Sequence, residues 1–378
     1  MKFATKAIVT GQEPDPATHS AITPIYQTST FVREDIGIPQ PYEYSRISNP
    51  TRTALEKCVA SLEDGLFGLS FSSGIAAEHA IVSMLRPGDH VIAPEDMYGG
   101  TYRLFTQVLE PMNVEFTFID AADFDEIKAA IKPSTKMIWL ETPTNPLLKI
   151  FDIKTISEIA HKNNLLLVVD NTFATPYFQQ PLKHGADIVV HSTTKYINGH
   201  SDVIGGMVVV NDEKLYNFIG MYQKSIGAIP GPFDAWLTLR GVRTLAIRMR
   251  QHEENAWAVA RFLKNHPKVE ELFFPGFEEH PKHHIARQQM TGFGGLVSFK
   301  IKGGYTEAKA FFDKLQIFHL ADSLGGVESL VNYSTQMTHS SFPLELKKKL
   351  GISDNLIRIS TGIEDAEDLV DDLKQALE

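Results

Sequence analysis

LLLVVD, residues 165–170, and ADIVV, residues 186–190, are short apolar runs that do not alternate with polar residues. Such runs suit strands of a parallel sheet buried on both faces. Working outward, the same texture recurs in KMIWLE (136–141), VEFTF (114–118), HVIAP (90–94), LFGLSF (66–71) and GMVVV (206–210). Amphipathic stretches lie between them. Ala77, Ala80, Ile81, Met84 and Leu85 follow the i, i+3, i+4, i+7, i+8 spacing of a helix face, and Arg86-Pro87-Gly88 stops it. Further helices are predicted over 99–110, 123–132 and 152–163. Strand–helix alternation of this kind defines a layered α/β domain with a mainly parallel sheet.

Beyond residue 232 the texture changes. A long helical stretch runs from Phe233 to about Asn265, broken near Gly241. Short strands follow, LVSFKI (296–301) and NLIRIS (355–360), and a last helix buries Ala366, Leu369, Val370, Leu373 and Leu377. The predicted organisation is an arm over 1–45, a large α/β domain over 46–232 and a smaller α+β domain over 233–378. The arm is rich in proline and shows no sustained period. It carries Tyr26, Phe31, Tyr42 and Tyr44, much apolar surface for a free tail, so it is expected to pack on another subunit.

Lys plus Arg number 36 against 46 Asp plus Glu, a net charge of −10 over 378 residues, which argues against a nucleic-acid partner. A single cysteine, Cys58, excludes an internal disulfide, fits a reducing cytoplasm and offers no thiolate cluster for zinc. The N-terminus lacks a signal-peptide core and no apolar run is long enough to span a bilayer. A soluble cytoplasmic protein without metal is expected.

Ligands on open α/β sheets gather at the carboxyl ends of the strands. Three features stand there. Ser72-Ser73-Gly74-Ile75 opens a helix, whose free N–H groups favour an anion. Asp170 ends LLLVVD. Lys195 follows Ser192, Thr193 and Thr194 just past ADIVV. Each has an ordinary explanation alone: an N-cap, a loop start, a surface lysine. Together they are what pyridoxal phosphate requires: a phosphate cradle, an acid for the ring nitrogen and a lysine for the aldehyde. Tyr98, before Gly99-Gly100, is placed to stack on the ring.

The runs YSRISNPTR (44–52), SSGIAA (72–77), DMYGGTYR (96–103), ETPTNP (141–146), VDNTFATP (169–176), HSTTKYINGHSDV (191–203) and SLGGVESL (323–330) resemble the Cys/Met-metabolism family of pyridoxal-phosphate enzymes, and within it the cystathionine γ-lyases most. The resemblance runs from about residue 5 to the C-terminus. It implies an aspartate-aminotransferase-like fold (fold type I) with a seven-stranded sheet, in a homotetramer of two active dimers. It assigns Lys195 to the cofactor aldehyde and to proton transfer, Asp170 to the pyridine nitrogen, and Tyr98 to stacking and protonation of the leaving sulfur. Gly74, Ile75, Ser192 and Thr194 would hold the phosphate, with Thr172 and Asn145 also at the cofactor. Tyr44 and Arg46 would reach the same phosphate from the neighbouring subunit. Arg358 and Ser323 would take the substrate carboxylate beside Asn145 and Thr338, while Arg103 and Asp322 would meet its distal part.

The implied reaction is α,γ-elimination of L-cystathionine to L-cysteine, 2-oxobutanoate and ammonia. The stretch after Tyr98 has no cysteine, unlike the methionine γ-lyases. Asp322 stands where cystathionine enzymes often carry Glu, and Thr193 where Ala is usual. The alternatives are γ-synthesis from an O-acylhomoserine, homocysteine γ-lyase activity, a β-lyase side activity, and a non-catalytic binding protein on the same fold. His280, His283 and His284 read as a solvated loop, and Cys58 as a small core residue.

Overall fold

The computed structural model describes residues 1–378. Its larger sheet has seven strands: β1 (Phe67–Phe71), β2 (His90–Pro94), β3 (Glu115–Ile119), β4 (Thr135–Glu141), β5 (Leu166–Asp170), β6 (Ile188–Ser192) and β7 (Gly206–Val210). Their order is β1-β7-β6-β5-β4-β2-β3. Only β7 runs antiparallel to its neighbours. Side chains alternate between two apolar layers. Leu167 and Val169 of β5 join one cluster with Ile138 and Leu140 of β4, while Val168, Met137 and Trp139 join the other. Burial on both faces is why these strands read as unbroken apolar runs.

The helices of this part are α1 (Phe3–Val9), α2 (Pro50–Leu62), α3 (Gly74–Val82), α4 (Gly99–Arg103), α5 (Phe124–Ala130), α6 (Ile153–Lys162), α7 (Thr175–Phe178), α8 (Glu213–Ile226), α9 (Pro232–Val242) and α10 (Leu245–Lys264). Clear end signals set several of them. Asn49 caps α2, accepting from Thr51 N, with Pro50 at the first position. Asp152 caps α6, and Gly227 closes α8 in the left-handed region at φ 78°. The second sheet has order β10-β11-β12-β9-β8, from β8 (Val269–Phe273), β9 (Leu296–Ile301), β10 (His319–Leu320), β11 (Leu330–Asn332) and β12 (Leu356–Ser360). With it come α11 (His283–Gln289), α12 (Tyr305–Lys314), α13 (Leu344–Leu350) and α14 (Ala366–Leu377).

Five expectations need correction. The arm opens as a helix: α1 docks on its own chain, with Ala7 buried and Lys6 bonded to Ser61 O at 3.0 Å. The helix over 99–110 is α4 continued by a π-helical turn over Leu104–Leu109 and a 3-10 turn over Glu110–Met112. Strand β6 spans Ile188–Ser192 rather than 186–190, so His191 and Ser192 are its last two residues. His283 and His284 begin α11, and the ring of His283 bonds Pro275 O. The change of layer also falls later than residue 233. Leu239 and Val242 of α9 and Leu245 and Met249 of α10 pack with the large sheet, whereas Ala256, Val259 and Leu263 pack with the small one. Cys58 is buried inside α2, and burial pushes its thiol up to about 12.

Candidate active site

The carboxyl ends of β4, β5 and β6 converge on a cleft of about 840 Å³ between the two sheets. That size suits a cofactor with a small substrate. Register fixes what arrives there. Glu141 and Asp170 are partners at the ends of β4 and β5, and Asp170 pairs with Val190 two residues before Ser192.

One end of the cleft is built for an anion. Ser73 caps α3, its hydroxyl accepting from Ala76 N at 3.0 Å. The N–H groups of Gly74 and Ile75 have no protein partner. At a helix N-terminus these are strong phosphate donors. Glycine is required there by space, since a Cβ on Gly74 would lie 2.9 Å from Ser192 Cβ. Ser192 N donates to Thr172 Oγ1 at 2.9 Å, and Thr194 Oγ1 is held by Gly205 N at 3.0 Å. Ser73, Gly74, Ile75, Thr172, Ser192 and Thr194 line the cleft.

Across the cleft, Lys195 Nζ donates to Ser323 Oγ at 2.7 Å. Burial and the nearby Arg358 charge lower the Lys195 ammonium to about 8, with Asp322 opposing them. A neutral amine is thereby within reach near neutral pH. Arg358, 1% exposed, donates to Asn145 Oδ1 at 2.8 Å and to Ser323 O at 2.7 Å, and burial lowers it to about 10. Its Nε is buried with no partner. Two of five N–H donors are thus committed, and the others remain for an incoming carboxylate. Ser323 ties the two cations together, and it does so at φ 94°, a strained backbone for a residue with a Cβ.

Asp170 takes the Thr172 N–H at 2.9 Å. Burial raises its carboxyl, and the Thr172 bonds and His191 oppose that. Tyr98 and Arg103 line the same cleft, as do Asn145, Asp322 and Thr338. Burial raises the Tyr98 phenol. A Cβ on Gly100 would lie 2.3 Å from the Tyr98 ring, which explains the glycine beside it. Asp322 Oδ1 lies 3.5 Å from Asn332 Nδ2, and Thr338 Oγ1 lies 2.9 Å from His339 Nδ1. Tyr44 and Arg46 are not brought to this cleft. Arg46 sits 5.4 Å over the Tyr44 ring and donates to Lys224 O, on the outer side of α8.

Three residues were not anticipated. Glu141 accepts the Tyr98 N–H at 2.7 Å and so orients the segment that carries Tyr98. Its place at the end of an apolar strand, like that of Asp170, was the available signal. Glu78, on α3, lines the cleft with one oxygen unpartnered. Arg248 of α10 donates to Tyr196 O at 2.7 Å and Gly241 O at 2.8 Å, pinning the segment after Lys195. Nothing in its sequence context marks it.

An anion cradle, a low-pKa lysine and a buried carboxylate fork around one cleft define a pyridoxal-phosphate enzyme for amino-acid substrates, and the residues present fit that cofactor. The chain belongs to the Cys/Met metabolism PLP-dependent enzyme family, whose model matches residues 4–378. It is 51% identical to a cystathionine γ-lyase of Bacillus subtilis, with all of both chains covered. It is equally 51% identical to a cystathionine γ-synthase of Mycobacterium tuberculosis, covering 99% of this chain and 96% of that one, and cystathionine β-lyases stand at similar identity. A crystal structure of cystathionine γ-lyase from Lactobacillus plantarum with L-serine superposes with TM-score 0.97 at 46% identity, covering 100% of this chain and 98% of that one. The fold is therefore fold type I, and the enzyme is a pyridoxal-phosphate-dependent enzyme of sulfur amino-acid metabolism. No helix is long and apolar enough to cross a membrane.

Proposed function

We propose that the chain is a cystathionine γ-lyase, converting L-cystathionine and water to L-cysteine, 2-oxobutanoate and ammonia, as a cytoplasmic homotetramer. The observation that carries this reading is Asp322, a carboxylate lining the cleft at its exposed side, next to Ser323. It offers an ion pair to the distal ammonium of cystathionine and nothing to a methyl thioether. Relatives named γ-synthase share the chain to the same extent, so γ-replacement on an O-acylhomoserine is the second reading.

Pyridoxal phosphate supplies an aldehyde that joins the substrate amine and a ring that accepts an electron pair. The protein does the rest. Arg358 and Asn145 fix the α-carboxylate, and Arg103 and Asp322 the distal end. Lys195 would take the Cα proton, pass it on to the cofactor, and so have its amine free again to take a Cβ proton. Asp170 keeps a positive charge at the ring nitrogen favourable. Tyr98 delivers a proton to the departing sulfur. Gly74, Ile75, Ser192 and Thr194 hold the phosphate, with Tyr44 and Arg46 entering from the neighbouring subunit.

Product analysis over cystathionine, homocysteine, methionine and O-acylhomoserine plus cysteine tests the reading. Cysteine and 2-oxobutanoate from cystathionine are expected to dominate. Pyruvate and homocysteine, or cystathionine formed from the acyl ester, would replace it. Asp322→Val should raise KM for cystathionine more than it lowers kcat, because the distal contact is uniform along the reaction.

A further inference from the structure

His339 is completely buried and has no part in the reaction described so far. It lies between β11 and α13, next to Thr338, which lines the cleft. Its Nε2 is 3.0 Å from Asn145 O and 3.2 Å from Met97 O. A carbonyl oxygen only accepts, so Nε2 carries the proton and one N–H is shared between the two. Nδ1 is then the acceptor, and it takes the Thr338 hydroxyl at 2.9 Å. Burial and the Arg358 charge lower the imidazolium to about 4, which leaves the ring neutral at pH 7 with its one donor and one acceptor both engaged.

The two carbonyls belong to segments that reach the cleft from different strands. Met97 precedes Tyr98 beyond β2, and Asn145 follows β4. Both residues are buried, and no other group of the chain donates to either carbonyl. A buried carbonyl left unpaired is costly, so the His339 ring is what closes this junction. The seam is tight: a Cβ on Gly99 would lie 2.2 Å from Thr338 O. Phe342 meets the His339 ring edge-on, with ring centroids 4.9 Å apart. Asn145 thus has its carbonyl on His339 and its side-chain oxygen on Arg358 Nη1, at 2.8 Å.

We propose that His339 is the positioning residue of the α-carboxylate site: its single N–H, shared between Asn145 O and Met97 O, holds Asn145 against Arg358 and seats the Thr338 rim on the segment that carries Tyr98. His339 does not itself line the cleft and acts through Asn145. Without the ring, Asn145 can drift from Arg358, and the guanidinium loses the partner that aims it. The cost falls on every amino acid alike, whatever its distal end, unlike that of Asp322→Val. The inference rests on Arg358 and Asn145 taking the substrate carboxylate.

Absorbance titration of the holoenzyme, with the cofactor band as the signal, tests it with L-alanine and ethylamine. Both bring an amine, neither has a leaving group, and only alanine has the carboxylate. Wild type should prefer alanine. His339→Phe keeps a ring against Phe342 but has no N–H to give. It should weaken alanine about tenfold, the loss of one hydrogen bond, and leave ethylamine unchanged. His339→Gln, whose amide can bring an N–H near the Nε2 position, should restore most of the preference. His339→Asn, whose amide sits near Nδ1 and falls short of both carbonyls, should not. Equal weakening of both ligands in His339→Phe would show a merely structural role and overturn the proposal, as would unchanged alanine binding or Gln and Asn variants that behave alike. A wild type that binds alanine and ethylamine equally would instead remove the carboxylate placement on which the proposal stands.

Discussion

Lys195 is held in an environment that suits its neutral form. Its amine titrates near 8 in the folded apoprotein against an ordinary 10.5. Between those values the unfolded chain binds more protons than the folded one, so stability contributed by this site rises with pH. Below pH 8 the buried ammonium costs up to about 3 kcal/mol. Apoenzyme carrying Lys195→Met is therefore expected to be more stable than wild type at pH 7, with the gain fading as pH rises from 8 to 10.5 and absent above it. Denaturant unfolding at several pH values measures it, and an equal gain at pH 7 and 11 would contradict the buried-ammonium account. Arg358→Lys keeps the charge but loses the fork. The expected result is a KM for the amino acid raised about 10- to 100-fold, since two parallel bonds become one. At this scale Lys195 and Asp170 could be singled out because each is a charged residue at or just past the end of an apolar strand, where an idle charge is costly, whereas Arg358 came only from the resemblance to the family. Glu78 was not, since a glutamate in a helix is ordinary until the fold shows which way it faces.

The first turn of α3 is made by spacing rather than by charge. Gly74 leaves room for Ser192, and Gly206 passes so close to Ser73 that a Cβ would lie 2.2 Å from its carbonyl oxygen. Gly74→Ala should leave secondary structure intact while weakening cofactor binding about tenfold or more, because the helix start must back away from Ser192. Titration of apoenzyme with pyridoxal phosphate reads this directly; unaltered affinity would show that the close approach is not needed. The strands of the large sheet could be read from sequence because burial on both faces leaves a run of four or five apolar residues. Helix α1 could not: seven residues do not hold a helix alone, and this one exists because Ala7 is buried against the body. The π turn after Arg103 was equally hidden, since its residues keep a helix-like pattern.

On the scale of the molecule the arm leaves a conspicuous surface. Val32 and Ile36 are more than nine-tenths exposed, and Tyr44 and Ile47 are open beside them. Apolar groups so placed are expected to meet a second subunit. Neither Arg46→Ala nor Lys195→Ala should turn over alone. Mixed after verified subunit exchange, they should regain part of the activity, because one hybrid site recovers both native residues. Mixtures that stay inactive would place Arg46 outside any shared site.

Helix α10 passes from one core to the other without interruption. Met249 is locked beside the large sheet and Val259 beside the small one, two to three turns apart on a single 20-residue rod. Such a rod is about 30 Å long and has no proline or glycine at which to bend. The two halves are thereby coupled like plates riveted to one beam. A substrate cannot be seized by swinging one half against the other. Admission and discrimination must come from small adjustments of the segments lining the mouth, such as those carrying Asp322 and Thr338. Evolution of a new preference in this scaffold would then proceed by exchanging side chains at the rim, while the frame, and with it the cofactor's seat, stays where it is.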